Sequence, residues 1–116
     1  MKMIEKTIYD YLNNLEELPA PVYTEMPATY PGKMYLIEKT GGGKTDQIST
    51  ANIVIQSYGS SLYEAMTLNE AIIDIMLNDF MSLDGIGSVK LNSDYNYTDT
   101  TTKRYRYQAV FVITYY

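Results

Sequence analysis

Cysteine, histidine and tryptophan are absent from this chain of 116 residues. Without cysteine there is no disulfide, no thiolate nucleophile and no cysteine-held metal. Without histidine, imidazole-based triads and His-ligated zinc sites are excluded as well. Any chemistry would fall to carboxylates, hydroxyls, Lys, Arg and Tyr. Basic residues are also scarce: nine Lys and Arg against fourteen Asp and Glu leave a net charge of −5. That balance argues against a dedicated duplex-DNA binder, whose affinity comes from neutralising phosphates. It leaves room for a protein that DNA slides past. No apolar run approaches the ~20 residues of a membrane helix. Acids among the apolar residues of "MKMIEKTIYDYL" (1–12) speak against a secretion signal, so a soluble chain made in a cytoplasm is expected.

Apolar residues make up 46% of the chain and charged residues 20%, an ordinary globular mixture. One domain over residues 1–116 is expected, long enough to bury roughly two-thirds of its unfolded surface. Thirteen tyrosines stand out. Each pairs a large apolar body with a polar tip, which suits interfaces and equally suits half-exposed strands.

Ile4, Ile8, Tyr11, Leu12 and Leu15 recur at helical steps and predict an amphipathic helix over residues 2–16. All four prolines fall between 19 and 31, so that stretch is extended, with room for a short edge strand from Val22 to Met26. "KMYLIEKT" (33–40) and "QISTANIVIQSY" (47–58) read as strands. Ser61 and Glu64 fit a capping box, and Leu62 to Phe80 keep helical spacing for about five turns. "DGIGS" (84–88) is a turn, "VKL" (89–91) a short strand, and the polar "NSDYNYTDTTTK" (92–103) an exposed loop. "RYRYQAVFVITYY" (104–116) is a long strand with Tyr105, Tyr107, Ala109, Phe111, Ile113 and Tyr115 on one face. These elements predict an α+β fold: an antiparallel sheet of four to five strands with two main helices on one face.

The stretch "GGGKT" (41–45) invites comparison with a phosphate-binding loop. That loop requires G-x-x-x-x-G-K-[ST] and a following helix whose N-terminal amides hold the phosphates. Five residues before Gly43 stands Glu38, a carboxylate that would repel phosphate, and a strand-like segment follows Thr45. The alternative is a hairpin in which Gly41, Gly42 and Gly43 reverse the chain and Lys44, Thr45 and Asp46 complete a flexible tip.

Asp74, Asp79 and Asp84 are five apart, which scatters them around a helix rather than pairing them for acid–base work. "KRYRY" (103–107) interleaves bases with aromatics, as single-strand nucleic-acid binders do. It also fits the start of a strand, and the net acidity favours that reading. Catalytic residues, a metal and a cofactor are not expected.

Taken in order, "PVYTEMPATYPGKMYLIEKTGGG", Asp46, "ANIVIQSYGSS" and "RYRYQAVFVITYY" resemble the tail completion, or tail terminator, proteins of long-tailed bacteriophages. The resemblance rests on Pro21-Val22-Tyr23 with Glu25, Pro27 and Pro31, on Thr40-Gly41-Gly42, on Gln56, and on Arg104-Tyr105. The segment from Met81 to Thr102 carries little of it. The resemblance implies a structural virion protein, not an enzyme. It would form a ring, typically a hexamer, on the head-proximal end of the tail tube. There it would stop tube polymerisation and offer a docking surface to the connector or head-completion protein. Genomic DNA would pass through without specific binding, eased by an acidic lumen. The expected partners are copies of itself, the tail tube protein and the connector, with no membrane; the expected location is the neck of the virion. Interface candidates are Gly41, Gly42, Gly43, Lys44, Thr45, Arg104, Tyr105 and Tyr115. Other head–tail connector components, and small ligand-binding domains of similar layout, are the alternative readings.

Overall fold

The computed structural model describes residues 3–116. Helix α1 (Ile4–Asn13) buries Ile4, Ile8 and Leu12, the stripe anticipated from their spacing. Its expected start at residue 2 lies outside the described residues. It ends at Asn13 rather than 16, where Asn14 Nδ2 donates to the Asp10 carbonyl and closes the last turn. Strand β1 (Val22–Tyr23) lies parallel to β2 (Met34–Thr45), with Tyr35 N donating to the Pro21 carbonyl at 2.8 Å. It is shorter than the expected 22–26 and makes the sheet mixed rather than all antiparallel. Pro27 and Pro31, which have no N–H to give a ladder, lie beyond it as the chain leaves the sheet.

Strand β3 (Ile48–Gly59) pairs with β2 and leads into α2 (Leu62–Asp74). Ser61 caps α2 by accepting from Glu64 N, and Glu64 reaches back to Ser60 N and Oγ. The helical spacing to Phe80 holds only in part. At Ile75–Asp79 the helix widens into a π turn, with Phe80 N donating to Ile75 O, and a short 3-10 turn (Phe80–Ser82) follows. Met76 and Phe80 are both fully buried there. Strands β4 (Ile86–Asn96) and β5 (Tyr105–Tyr115) complete a five-stranded sheet of order β1-β2-β3-β5-β4.

Register explains the layering. Ile37, Ile55 and Ala109 sit side by side across three strands, as do Ile53, Phe111 and Leu91, and Ala51, Ile113 and Val89. These rows face both helices and form one core with Ile4, Ile8, Leu12, Leu68, Ile72 and Met76. Tyr11 and Phe80 meet edge to face at 5.4 Å, joining the two helical segments across the core. Tyr35 Oη donates to the Leu68 carbonyl at 2.7 Å, tying β2 to α2. The fold is α+β with both helices on one face of the sheet.

Two further expectations fail. The glycines do not reverse the chain. Gly41, Gly42 and Gly43 lie inside β2, paired with Asn52, Ala51 and Thr50 beyond a bulge between Lys39 and Gly41. The reversal falls on Asp46 and Gln47, with φ of 50° and 67°, a two-residue turn of the mirror-image type. Strand pairing right up to Thr45 and Ile48 leaves only those two residues to turn, and the sheet's twist selects the left-handed pair. The second failure is the loop at 92–103. Residues 92–96 extend β4, so the short "VKL" strand is part of an eleven-residue one. Pairing continues through Tyr97 N to Arg106 O and an Asp99–Arg104 bridge. Polar side chains hid this strand because one edge and one face of it meet solvent, which removes the hydrophobic alternation that marks a strand in sequence.

Candidate interaction surfaces

The second face of the sheet carries no helix. Across it run Leu36, Gln56, Gln108 and Tyr95; then Glu38, Val54, Val110 and Ser93; then Asn52, Val112 and Lys90. Alternation places these opposite the core rows. The apolar centre of this face is Leu36, Val110 and Val112, each half-buried, around Val54, which is only 3% exposed. This corrects one sequence inference: the tyrosine-bearing face of the last strand is core, with Tyr115 only 7% exposed, and its even-numbered face is the uncovered one.

At one end of this face the tyrosines and arginines form a continuous polar chain. Arg106 Nε donates to the Tyr97 carbonyl at 2.6 Å, and its Nη1 to Tyr58 Oη at 2.9 Å. Tyr58 Oη donates to Gln56 Oε1 at 3.0 Å, Gln56 Nε2 to Gln108 Oε1 at 2.9 Å, and Gln108 Nε2 to Tyr95 Oη. Cations also lie on rings. Arg106 sits over Tyr97 at 4.5 Å and Tyr58 at 5.7 Å, and Arg104 over Tyr30 at 4.6 Å. Tyr30 meets Tyr58 edge to face, as Tyr95 meets Tyr97. Such stacks hold guanidinium groups flat and partly dry, the state in which Arg and Tyr contribute most at protein interfaces. Burial pushes the Tyr30 phenol pKa up while Arg104 pulls it down, and its buried hydroxyl has no hydrogen-bond partner among the described residues.

The interface candidates divide between the two ends of β5. Arg104 and Tyr105 belong to the Tyr/Arg end, with Arg104 bridged to Asp99 and Tyr105 half-buried on the core side opposite Gly59. Tyr115 is ten residues further along, about 33 Å at strand rise. There it helps line a cleft of about 690 Å³ with Lys39, Gly43, Lys44, Gln47 and Ser49. Gly41, Gly42 and Thr45 belong to the same ribbon of β2 and β3. From Thr40 to Thr50 that ribbon is exposed on both faces except at Gly41 and Ser49, which are half-buried. It is paired strand, not a flexible loop: β5 flanks it as far as Ser49, opposite Tyr115, and only Thr45–Ile48 project beyond as a short arm.

Sequence reasoning missed Tyr30, Tyr58, Tyr95, Tyr97, Arg106 and Gln108 as one group. The alternations "DYNY" (94–97) and "RYRYQ" (104–108) held the signal, since every second residue of paired strands shares a face. Among the described residues the sheet has two open edges. One is β4's outer side; the other is β2 from Ile37 to Thr45, because β1 pairs only with Tyr35 and Leu36. Bulges at Lys39/Gly41, Ile86/Ser88 and Leu91/Ser93 interrupt both, a feature that discourages indiscriminate strand pairing.

No family model and no curated protein matches this chain. The described surfaces comprise stacked Tyr and Arg, an apolar strip on the helix-free face and an exposed β2–β3 ribbon.

Proposed function

We propose that this chain is a structural virion protein, a ring-forming tail terminator of a long-tailed bacteriophage, and not an enzyme. In this reading it caps the head-proximal end of the tail tube, stops tube growth and presents a docking surface to the connector. It assembles as a ring, six copies in the family it resembles, through which the genome passes. One observation carries the reading: from Thr40 to Thr50 the β2–β3 ribbon is solvent-exposed except at Gly41 and Ser49, and its tip of Thr45–Ile48 extends past the end of β5 as an arm. A subunit that must touch its neighbours, a tube and a connector needs several unlike surfaces. The arm, the Tyr/Arg end and the uncovered sheet face supply three. The sequence resemblance over residues 21–43, Asp46, 51–61 and 104–116 points the same way.

The arm already turns in two residues, so the decisive variant shortens its paired length. The tip is cut back to the Lys44–Ser49 pair, the last one flanked by β5, and closed by an Asn-Gly turn. The expected result is a folded protein whose phage produces tails of uncontrolled length, or tails that fail to join heads, under negative-stain microscopy. Normal virions from that variant would overturn the proposal.

A further inference from the structure

The charges of this protein are sorted by layer. Residues 60–85, which comprise α2 and its extension, carry Glu64, Glu70, Asp74, Asp79 and Asp84 and not one Lys or Arg. On the opposite side, the helix-free sheet face and its Tyr/Arg end carry Lys90, Arg104 and Arg106 against two carboxylates, Glu38 and Asp99. None of these bases forms an ion pair among the described residues; the arginines rest on tyrosine rings instead. Among the described residues the acids of α2 form no ion pair either, although Lys33 lies near enough to Glu64 to help lower its pKa.

Apolar side chains are arranged to match. Tyr63, Met66, Glu70 and Asp74 follow one another at steps of three, four and four residues and so form one outward stripe. Tyr63 is 77% exposed and Met66 42%, large groups to leave in water. The stripe runs about 17 Å along the helix. On the sheet side, Val110 lies between Arg106 and the row that pairs Val112 with Lys90, a strip of about 20 Å. Each surface therefore combines apolar groups with an excess of one sign of charge, at similar length, and the two face away from each other.

We infer that the outward stripe of α2 docks on the uncovered sheet face of a second copy of this chain. The contact is heterologous, since two different surfaces meet, and it repeats from copy to copy until rotation closes it. Within the ring reading proposed above, on which this inference rests, helix layer and sheet layer alternate around the circle. Buried Val, Tyr and Met groups hold the contact, and the acidic helix against Lys90 and the arginines sets its direction.

The test mixes ¹⁴N and ¹⁵N protein at the highest soluble concentration and joins touching Lys and carboxylate pairs with a zero-length carbodiimide. Mixed-isotope cross-links from Lys90 to Glu70 or Asp74 are expected. Association is then followed by analytical ultracentrifugation for Glu70→Lys with Asp74→Lys, for Lys90→Glu, and for all three together. These side chains are exposed, and circular dichroism checks that each variant folds. Reversal on either side alone weakens association about tenfold or more, and the combination recovers most of it. Closed rings whose cross-links join other surfaces, or whose stability ignores the reversals, would overturn the docking while leaving the ring intact. A chain that never self-associates and yields no mixed-isotope links would overturn both.

Discussion

The three glycines of β2 make a prediction that separates protomer requirements from partner requirements. A Cβ built on Gly42 meets the Thr50 carbonyl oxygen at 2.8 Å and Lys39 Cε at 3.0 Å. One built on Gly43 meets nothing within 4 Å. None of the three has a positive φ, so backbone strain does not distinguish them. The Gly42→Ala side chain pushes against the backbone of the paired strand, which must retreat about 0.6 Å to reach ordinary contact. Overpacking of this kind costs about 1–3 kcal/mol. Gly43→Ala gains about 0.5–1 kcal/mol, because alanine has less freedom to lose on folding. The two variants should thus differ by about 1.5–4 kcal/mol in arm stability. The arm is exposed and opens locally, so the difference is read by NMR amide exchange at arm residues such as Lys44 and Thr45, not by global unfolding alone. Gly42→Ala accelerates their exchange and Gly43→Ala slows it. Equal behaviour of the two, or a stabilised Gly42→Ala, would refute the close approach across the bulge. A Gly43→Ala protein that is stable yet fails to cap tails would show that Gly43 answers to a partner's surface.

Other expected outcomes test the remaining devices. Asp46 and Gln47 hold left-handed backbone without glycine, so Asp46→Asn with Gln47→Gly stabilises the arm by about 1 kcal/mol in the same exchange measurement. Tyr35→Phe removes the hydroxyl bond to Leu68 and costs about 1 kcal/mol in urea unfolding, with the core otherwise kept. Hydrogen bonds from Ser60 hold the Glu64 pKa below its ordinary 4.5. That contribution is present above pH 4.5 and is lost as pH falls through the lower folded value. Thermal melts of the parent protein should therefore drop more steeply below pH 4.5 than those of Glu64→Gln. Burial raises the Tyr35 phenol pKa above its ordinary 10.0, so the stability this group contributes holds below pH 10 and is lost as pH rises beyond it. Base titration followed by tyrosine absorbance should show one late, unfolding-linked phenol that Tyr35→Phe lacks.

Much of the fold was legible from residues that interact locally or alternate strictly. Ile4, Ile8 and Leu12 announce α1, Ser61 and Glu64 cap α2, and Ala109, Phe111 and Ile113 mark the buried face of the last strand. In each case the periodicity reports a single buried side, so neighbours in sequence carry the evidence. The absence of cysteine and histidine, and the acidity, likewise needed no structure to limit the chemistry.

Tertiary structure alone decided where the chain turns and which surfaces are left uncovered. Glycines at 41–43 resemble a turn until pairing with Thr50, Ala51 and Asn52 shows them within a strand, and Asp46-Gln47 turns against its own propensity because the ladder closes on it. The polar run 92–96 becomes a strand only because β5 gives its backbone a partner. Likewise the Tyr, Arg and Gln chain spans residues 30 to 108, and no local pattern connects groups that meet only across strands. Composition and periodicity record what each segment buries; partnership between distant segments depends on register, which is settled when the whole sheet forms.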